Sequence, residues 1–231
     1  MFIQTIIDLD QMLLSLTNGS GSAFLDRWMM VLTSGLTWIP LYVALLYLVI
    51  KNHDTMPQIL LVAGCAVLCV VIADGVADFI VKPLVARQRP CNDVLMKYTV
   101  HVVDGMRSKG YSFFSAHAAN TFSLALFFSL CVRSRLLSTA LTVWSLLNAY
   151  TRLYLGQHYF SDVLAGLLWG AVAALLSYTL CRRAYKNLST GRPRRSTQYT
   201  STGYVRSDAG LVCAVLLSTL IGSIVVANWV V

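Results

Sequence analysis

The feature that most constrains this chain is a series of six apolar stretches, near residues 28–50, 57–81, 115–132, 137–154, 160–180 and 210–231. As helices, all six are about long enough to cross the roughly 30 Å hydrocarbon core of a bilayer. Of the 231 residues, 57% are apolar and only 12% are charged, where soluble domains carry about 25% charged residues. A soluble fold of this composition could not cover its own surface, and a disordered chain would be poor in hydrophobics and rich in charge. The pattern therefore predicts an all-α, multi-pass membrane bundle of about six transmembrane helices. Pro40 inside the first stretch predicts a kink there. No tandem repeat is visible.

Residues 1–17 read differently. Gln4, Asp8, Gln11 and Ser15 fall on one helical face, with Phe2, Ile6, Leu9, Leu13 and Leu16 away from it. That predicts an amphipathic helix lying in the membrane interface, ended by the turn Asn18-Gly19-Ser20-Gly21. Acids Asp8 and Asp10 stand where a secretory signal would have basic residues. A core over 25–182, a flexible basic loop over 183–209 and a last helix over 210–231 complete the plan. The net charge of +8 fits topology and anionic head groups better than nucleic acid. Alternating spans put Lys51, Arg133, Arg135 and the 181–209 connection on one side, with ten Lys/Arg against eight on the other. By the positive-inside rule the richer side is cytoplasmic. Five of the six cysteines lie in or beside apolar runs and read as small buried hydrophobes. Cys91 sits in a polar loop, so neither a structural disulfide nor a cysteine metal site is expected.

Three polar clusters interrupt this plan, all on the expected outer side. Lys82-x6-Arg89-Pro90 lies at the exit of the second stretch; alone, it reads equally as a pair of snorkelling anchors. Phe114-Ser115-Ala116-His117 opens the third. There Ser115 can cap the helix, whose free N–H groups make an anion site. Thr151-Arg152-x5-His158-x3-Asp162 bridges the fourth and fifth. His158 and Asp162, four apart, share a helical face, either as a packing pair or as an imidazole oriented by a carboxylate. Taken together the clusters supply three cations, a helix N-terminus, two histidines and an orienting acid. That set suits phosphoryl transfer: cations on the equatorial oxygens, one histidine attacking, the other protonating the leaving oxygen.

In order and in both long spacings, the clusters resemble the three motifs of the type 2 phosphatidic acid phosphatase (PAP2) family, which shares its site with vanadium haloperoxidases. The resemblance runs over about residues 25–180. It implies His158 as nucleophile forming a phosphohistidine, Asp162 orienting it, and His117 protonating the leaving group. It implies Lys82, Arg89, Ser115, Ala116 and Arg152 around the phosphate, with no metal or other cofactor. Ala116, Phe114 and Thr151 depart from the family's Gly, Pro and Ser, but none removes a reactive group. The compact layout is similar to bacterial inner-membrane members with a periplasmic site. Stretches such as Thr37-Trp38-Ile39-Pro40-Leu41 and Ser115-Ala116-His117-Ala118-Ala119-Asn120 resemble members acting on lipid A. Undecaprenyl diphosphate, phosphatidylglycerol phosphate and phosphatidic acid are the alternatives. The expected partner is thus a lipid phosphate in the bilayer.

Asp78, one turn before Lys82, predicts an ion pair or a group that positions Lys82 for phosphate. Together with Asp74 these residues also admit a transporter relay, although no inverted halves are seen. Gln157 and Tyr159 flank the nucleophile as possible head-group selectors. Arg87, Lys97, His101, Arg107 and Lys109 read as a cationic collar on a long outer loop, itself a candidate lid.

Overall fold

The computed structural model describes residues 2–188 and 196–229. Its elements in chain order are α1 (Phe2–Thr17), α2 (Ala23–Thr33), a 3-10 turn (Gly35–Trp38), α3 (Ile39–Lys51), α4 (Met56–Gly75), a π-helical segment (Val76–Val81), α5 (Lys82–Val85), a 3-10 turn (Val103–Gly105), α6 (Ala116–Val132), α7 (Arg135–Tyr154), α8 (Phe160–Leu188) and α9 (Arg206–Trp229). The all-α membrane bundle is therefore observed. Three helices are long and apolar enough to cross a membrane: Met56–Val85, Phe160–Leu188 and Arg206–Trp229. The α2–α3 pair makes a fourth if its bent halves form one span. Ala116–Val132 is apolar but shorter, and α7 carries polar residues along the site face, so this measure finds up to four of the six expected spans among the described residues.

The first span is not one kinked helix. It breaks at the 3-10 turn and bends by 64°. Pro40 lies in the first turn of α3, where its missing N–H leaves no intrahelical bond unmade. It starts a helix instead of bending one. The bend is closed from inside by Trp38, whose indole N–H donates to Leu32 O (2.9 Å) and whose ring meets Trp144 edge-on at 5.6 Å.

Ser115 caps α6 and Ser134 caps α7, each accepting from a backbone N–H three residues on. Helix α6 packs against α4, α7 and α8, and α9 closes the bundle against α2 and α3. The α6–α8 crossing is backbone-close. A Cβ on Gly166 would lie 2.5 Å from Ser115 O, and one on Gly170 2.5 Å from Ala119 O. Only glycine allows that approach, a small-residue seam typical of membrane helices. Around this core Leu60, Val67, Val71, Leu168, Leu175 and Ile221 face outward, as a lipid-facing belt requires.

The loops assigned to one side of the membrane do come together. Val205 N donates to Asn52 Oδ1 (2.7 Å), Gln58 Nε2 to Leu188 O (3.2 Å) and Thr202 Oγ1 to Val132 O (2.8 Å). The expected flexible loop over 183–209 is shorter than read. Helix α8 runs to Leu188, and residues 196–205 form a turn bridged at Tyr199 and Val205. Residues 189–195 lie outside the described residues.

Candidate active site

All three clusters converge at the other end of the bundle. The site is built on the α6 N-terminus, the α7 C-terminus, the five-residue link 155–159 and the loop after α5. Ser115 N donates to Asp162 O (3.0 Å), which joins the second cluster directly to the third. Gly156, at φ +63°, makes the tight turn before His158, and a Cβ there would meet Val100 at 2.4 Å.

His158 is 2% exposed. Arg89 Nη1 lies 3.2 Å from its Nε2. A guanidinium only donates, so the Nε2 lone pair accepts the Arg89 N–H. The remaining ring proton then sits on Nδ1, which faces Asp162 Oδ2 at 3.8 Å. That distance is too long for a hydrogen bond, and Nδ1 has no partner among the described residues. Asp162 spends its hydrogen bonds elsewhere: Oδ2 accepts from Tyr159 N (2.9 Å) and Oδ1 from Arg87 Nη1 (2.7 Å). Burial, helped by the cations Arg152 and Arg89, pulls the His158 pKa down to about 4 against the opposing pull of Asp162.

His117 Nε2 lies 3.4 Å from Asn148 Oδ1. The Asn148 amide donates to Trp144 O (2.9 Å), so its oxygen is the end that faces the ring. This arrangement places a proton on Nε2 and leaves Nδ1 for exchange. Arg152 Nη1 donates to Thr33 Oγ1 (2.7 Å), and its buried Nε has no partner among the described residues. Lys82 is paired with Asp78, and Asp74 accepts from Asn120 (2.9 Å). Lys82, Asp78 and Arg89 line a cavity of about 350 Å³ together with Lys109 and Tyr111. Arg89 thus connects an open, cation-lined cavity to His158. Burial lowers the Arg89 pKa from its ordinary value, a guanidinium that an anion would restore.

Two flanking residues are turned away from that cavity. Gln157 is buried and donates to Met106 O (3.1 Å) and Leu155 O (3.3 Å), so it ties the outer loop down. Tyr159 is buried with its hydroxyl on Asp93 (3.2 Å). The collar is also smaller than its sequence suggests. Arg87 is half-buried and bridges Asp162 and Asp10 at 2.7 Å each. These anions raise its pKa in spite of burial. His101 is paired with Asp26 (2.9 Å).

Sequence reasoning missed Arg87, Asp10, Ser161, Asn148 and Thr33. Two left a signal. Asp10 sits about 200° around the helix from Asp8, off the polar face, where an acid needs a protein partner. Asn148 is a polar residue one turn before Arg152 inside an apolar run. Among the described residues no group of three His, Cys, Asp or Glu side chains forms a metal site.

A membrane helical bundle with arginines and histidines gathered at one end is the frame of an integral-membrane phosphatase. The chain belongs to the PAP2 superfamily, whose family model matches residues 34–186, and is a membrane lipid phosphatase of that class. It is 36% identical to a lipid A 4'-phosphatase of Bacteroides thetaiotaomicron over 83% of this chain and 85% of that one. It is 29% identical to a lipid A 4'-phosphatase of Porphyromonas gingivalis, over 76% of this chain and 74% of that one. No solved structure matches.

Proposed function

We propose that this protein removes a phosphate from lipid A at the periplasmic face of a bacterial inner membrane, through a phosphohistidine and without a metal. The observation that carries the reading is the pairing of Arg89 with His158 Nε2 at 3.2 Å: a bound phosphate would take over the Arg89 N–H and free the Nε2 lone pair beside the phosphorus. His158 Nε2 attacks phosphorus while the bond to the lipid oxygen breaks. His117 gives that oxygen its proton, and Lys82, Arg89, Arg152 and the α6 N-terminus hold the three equatorial oxygens. Water then attacks the phosphohistidine, His117 takes the water's proton, the N–P bond breaks and inorganic phosphate leaves. Asp162 stabilises the imidazolium in both halves. The four positive groups supply the charge that a metal supplies in other phosphatases.

The preference for lipid A is supported by the two relatives, which cover most of both chains. Orientation is supported by the charge count. With Arg87 taken into the site network, only Arg27, Lys97, Arg107 and Lys109 remain on the outer side against ten on the other. The test is phosphate release in detergent with EDTA from lipid A, undecaprenyl diphosphate, phosphatidylglycerol phosphate and phosphatidic acid. Lipid A should be preferred and His158→Ala inactive. Release that needs an added metal, or preference for another lipid, would overturn the corresponding part.

A further inference from the structure

Arg87 lies between two buried carboxylates. Its Nη1 donates to Asp162 Oδ1 (2.7 Å) and Ser161 Oγ (2.8 Å), and its Nη2 to Asp10 Oδ2 (2.7 Å). Asp10 also accepts from Ser161 N (2.9 Å) and Ser161 Oγ (2.5 Å). The guanidinium carbon lies over the Tyr159 ring, 4.1 Å from its centroid. Asp10 is 2% exposed and Asp162 0%. Removing one member of such a cluster leaves the others buried and uncompensated.

Asp10 comes from α1. That helix turns Leu14 inward and Leu9, Met12 and Leu16 outward, so its apolar face is left for the membrane while its one buried acid enters the site. We propose that Asp10, acting through Arg87, is a positioning residue for the His158 nucleophile, and that α1 is a working part of the site as well as an anchor. The inference rests on the phosphatase reading above. Arg87 draws charge from Asp162, the carboxylate that must stabilise the His158 imidazolium. Asp10 supplies Arg87 with a second anion and so leaves Asp162 free to act on His158. Neutralising Asp10 gives Arg87 wholly to Asp162; neutralising Arg87 does the opposite.

The groups facing His158 are Asp162 of α8, Arg89 of the outer loop, Arg152 of α7 and His117 of α6. All four are retained in the variants that follow. The test is kcat against pH on lipid A for the full chain in detergent, because kcat reports the substrate complex. Asp10→Asn should lower kcat about tenfold, change KM less than about twofold, and move the acid limb down by about half a pH unit. Arg87→Gln should move the limb up by a similar amount. Asp10→Glu should restore the wild-type limb and most of the rate. A purely structural role would lower the rate without moving the limbs in opposite directions, and limbs coincident with wild type would overturn the proposal. Each variant is read alone, so misfolding of one leaves the other's shift to decide. Wild-type release that is absent, or that survives His158→Ala, overturns the phosphatase reading and this role with it. Coincident limbs in a His158-dependent enzyme overturn only the role of Asp10.

Discussion

The end of the bundle that carries His158 is held by buried ion pairs and by atoms left unsatisfied, whereas the opposite end is closed mostly by amide and hydroxyl hydrogen bonds. Around the site, Arg87 joins two carboxylates, and His158 Nδ1, Gln157 Oε1 and Arg152 Nε have no partner among the described residues. At the far end Asn52 binds Val205 N through its oxygen and Asp208 through its amide, and Thr202 closes onto Val132 O. Unsatisfied buried polar groups cost about 1–3 kcal/mol each. One end thus keeps a cationic donor, Arg152 Nε, unspent, and the other spends its donors on closing the fold.

The sharpest way to break this contrast is His158→Ala, which should lower phosphate release by at least about a thousandfold with thermal stability unchanged or raised. A large loss of stability would show the imidazole to be structural. His117→Ala should cost about 10²–10⁴-fold in rate, read in single turnover. Gly166→Ala separates positioning from chemistry. Its Cβ would strike Ser115 O, so about 1–3 kcal/mol of stability and part of the activity should be lost together. Acid pH gives a smaller effect. Burial keeps His158 neutral down to about pH 4, so kcat/KM should stay level from pH 7 to about 5, where an ordinary histidine would already be charging near 6.5. A limb at 6.5 that is not the substrate phosphate's own ionisation, which falls at about 6, would contradict a neutral, buried His158. Smallest of all, Asn52→Ala should cost about 1 kcal/mol of stability and leave kcat unchanged.

The apolar runs and the loop charges were enough to predict a helical bundle with its loops sorted to two ends. Lys82, Arg89, Ser115, Arg152, His158 and Asp162 were legible because motif spacing survives any packing. The break after Thr33 was not, since Pro40 at a helix start and Pro40 in a kink look the same until the neighbouring 3-10 turn is seen. Arg87 was misjudged for a similar reason. A loop arginine looks solvated until a distant acid is brought to it, and Asp10 is 77 residues away along the chain. The α6–α8 seam at Gly166 and Gly170 depends on helix crossing, which no single-helix pattern contains.

The bonds between Asp10 and Ser161 span 151 residues, and this fixes an order of events during synthesis. Helix α1 leaves the ribosome first, yet its buried acid has no complete set of partners until the start of α8 has been made and inserted. Until then Asp10 must wait in water or head groups while helices α2 to α7 are made between it and Ser161. On the proposed reading, activity would begin only after the membrane has accepted most of the chain. A chain stalled before residue 160 would carry His117, His158, Lys82, Arg89 and Arg152, yet lack Asp162.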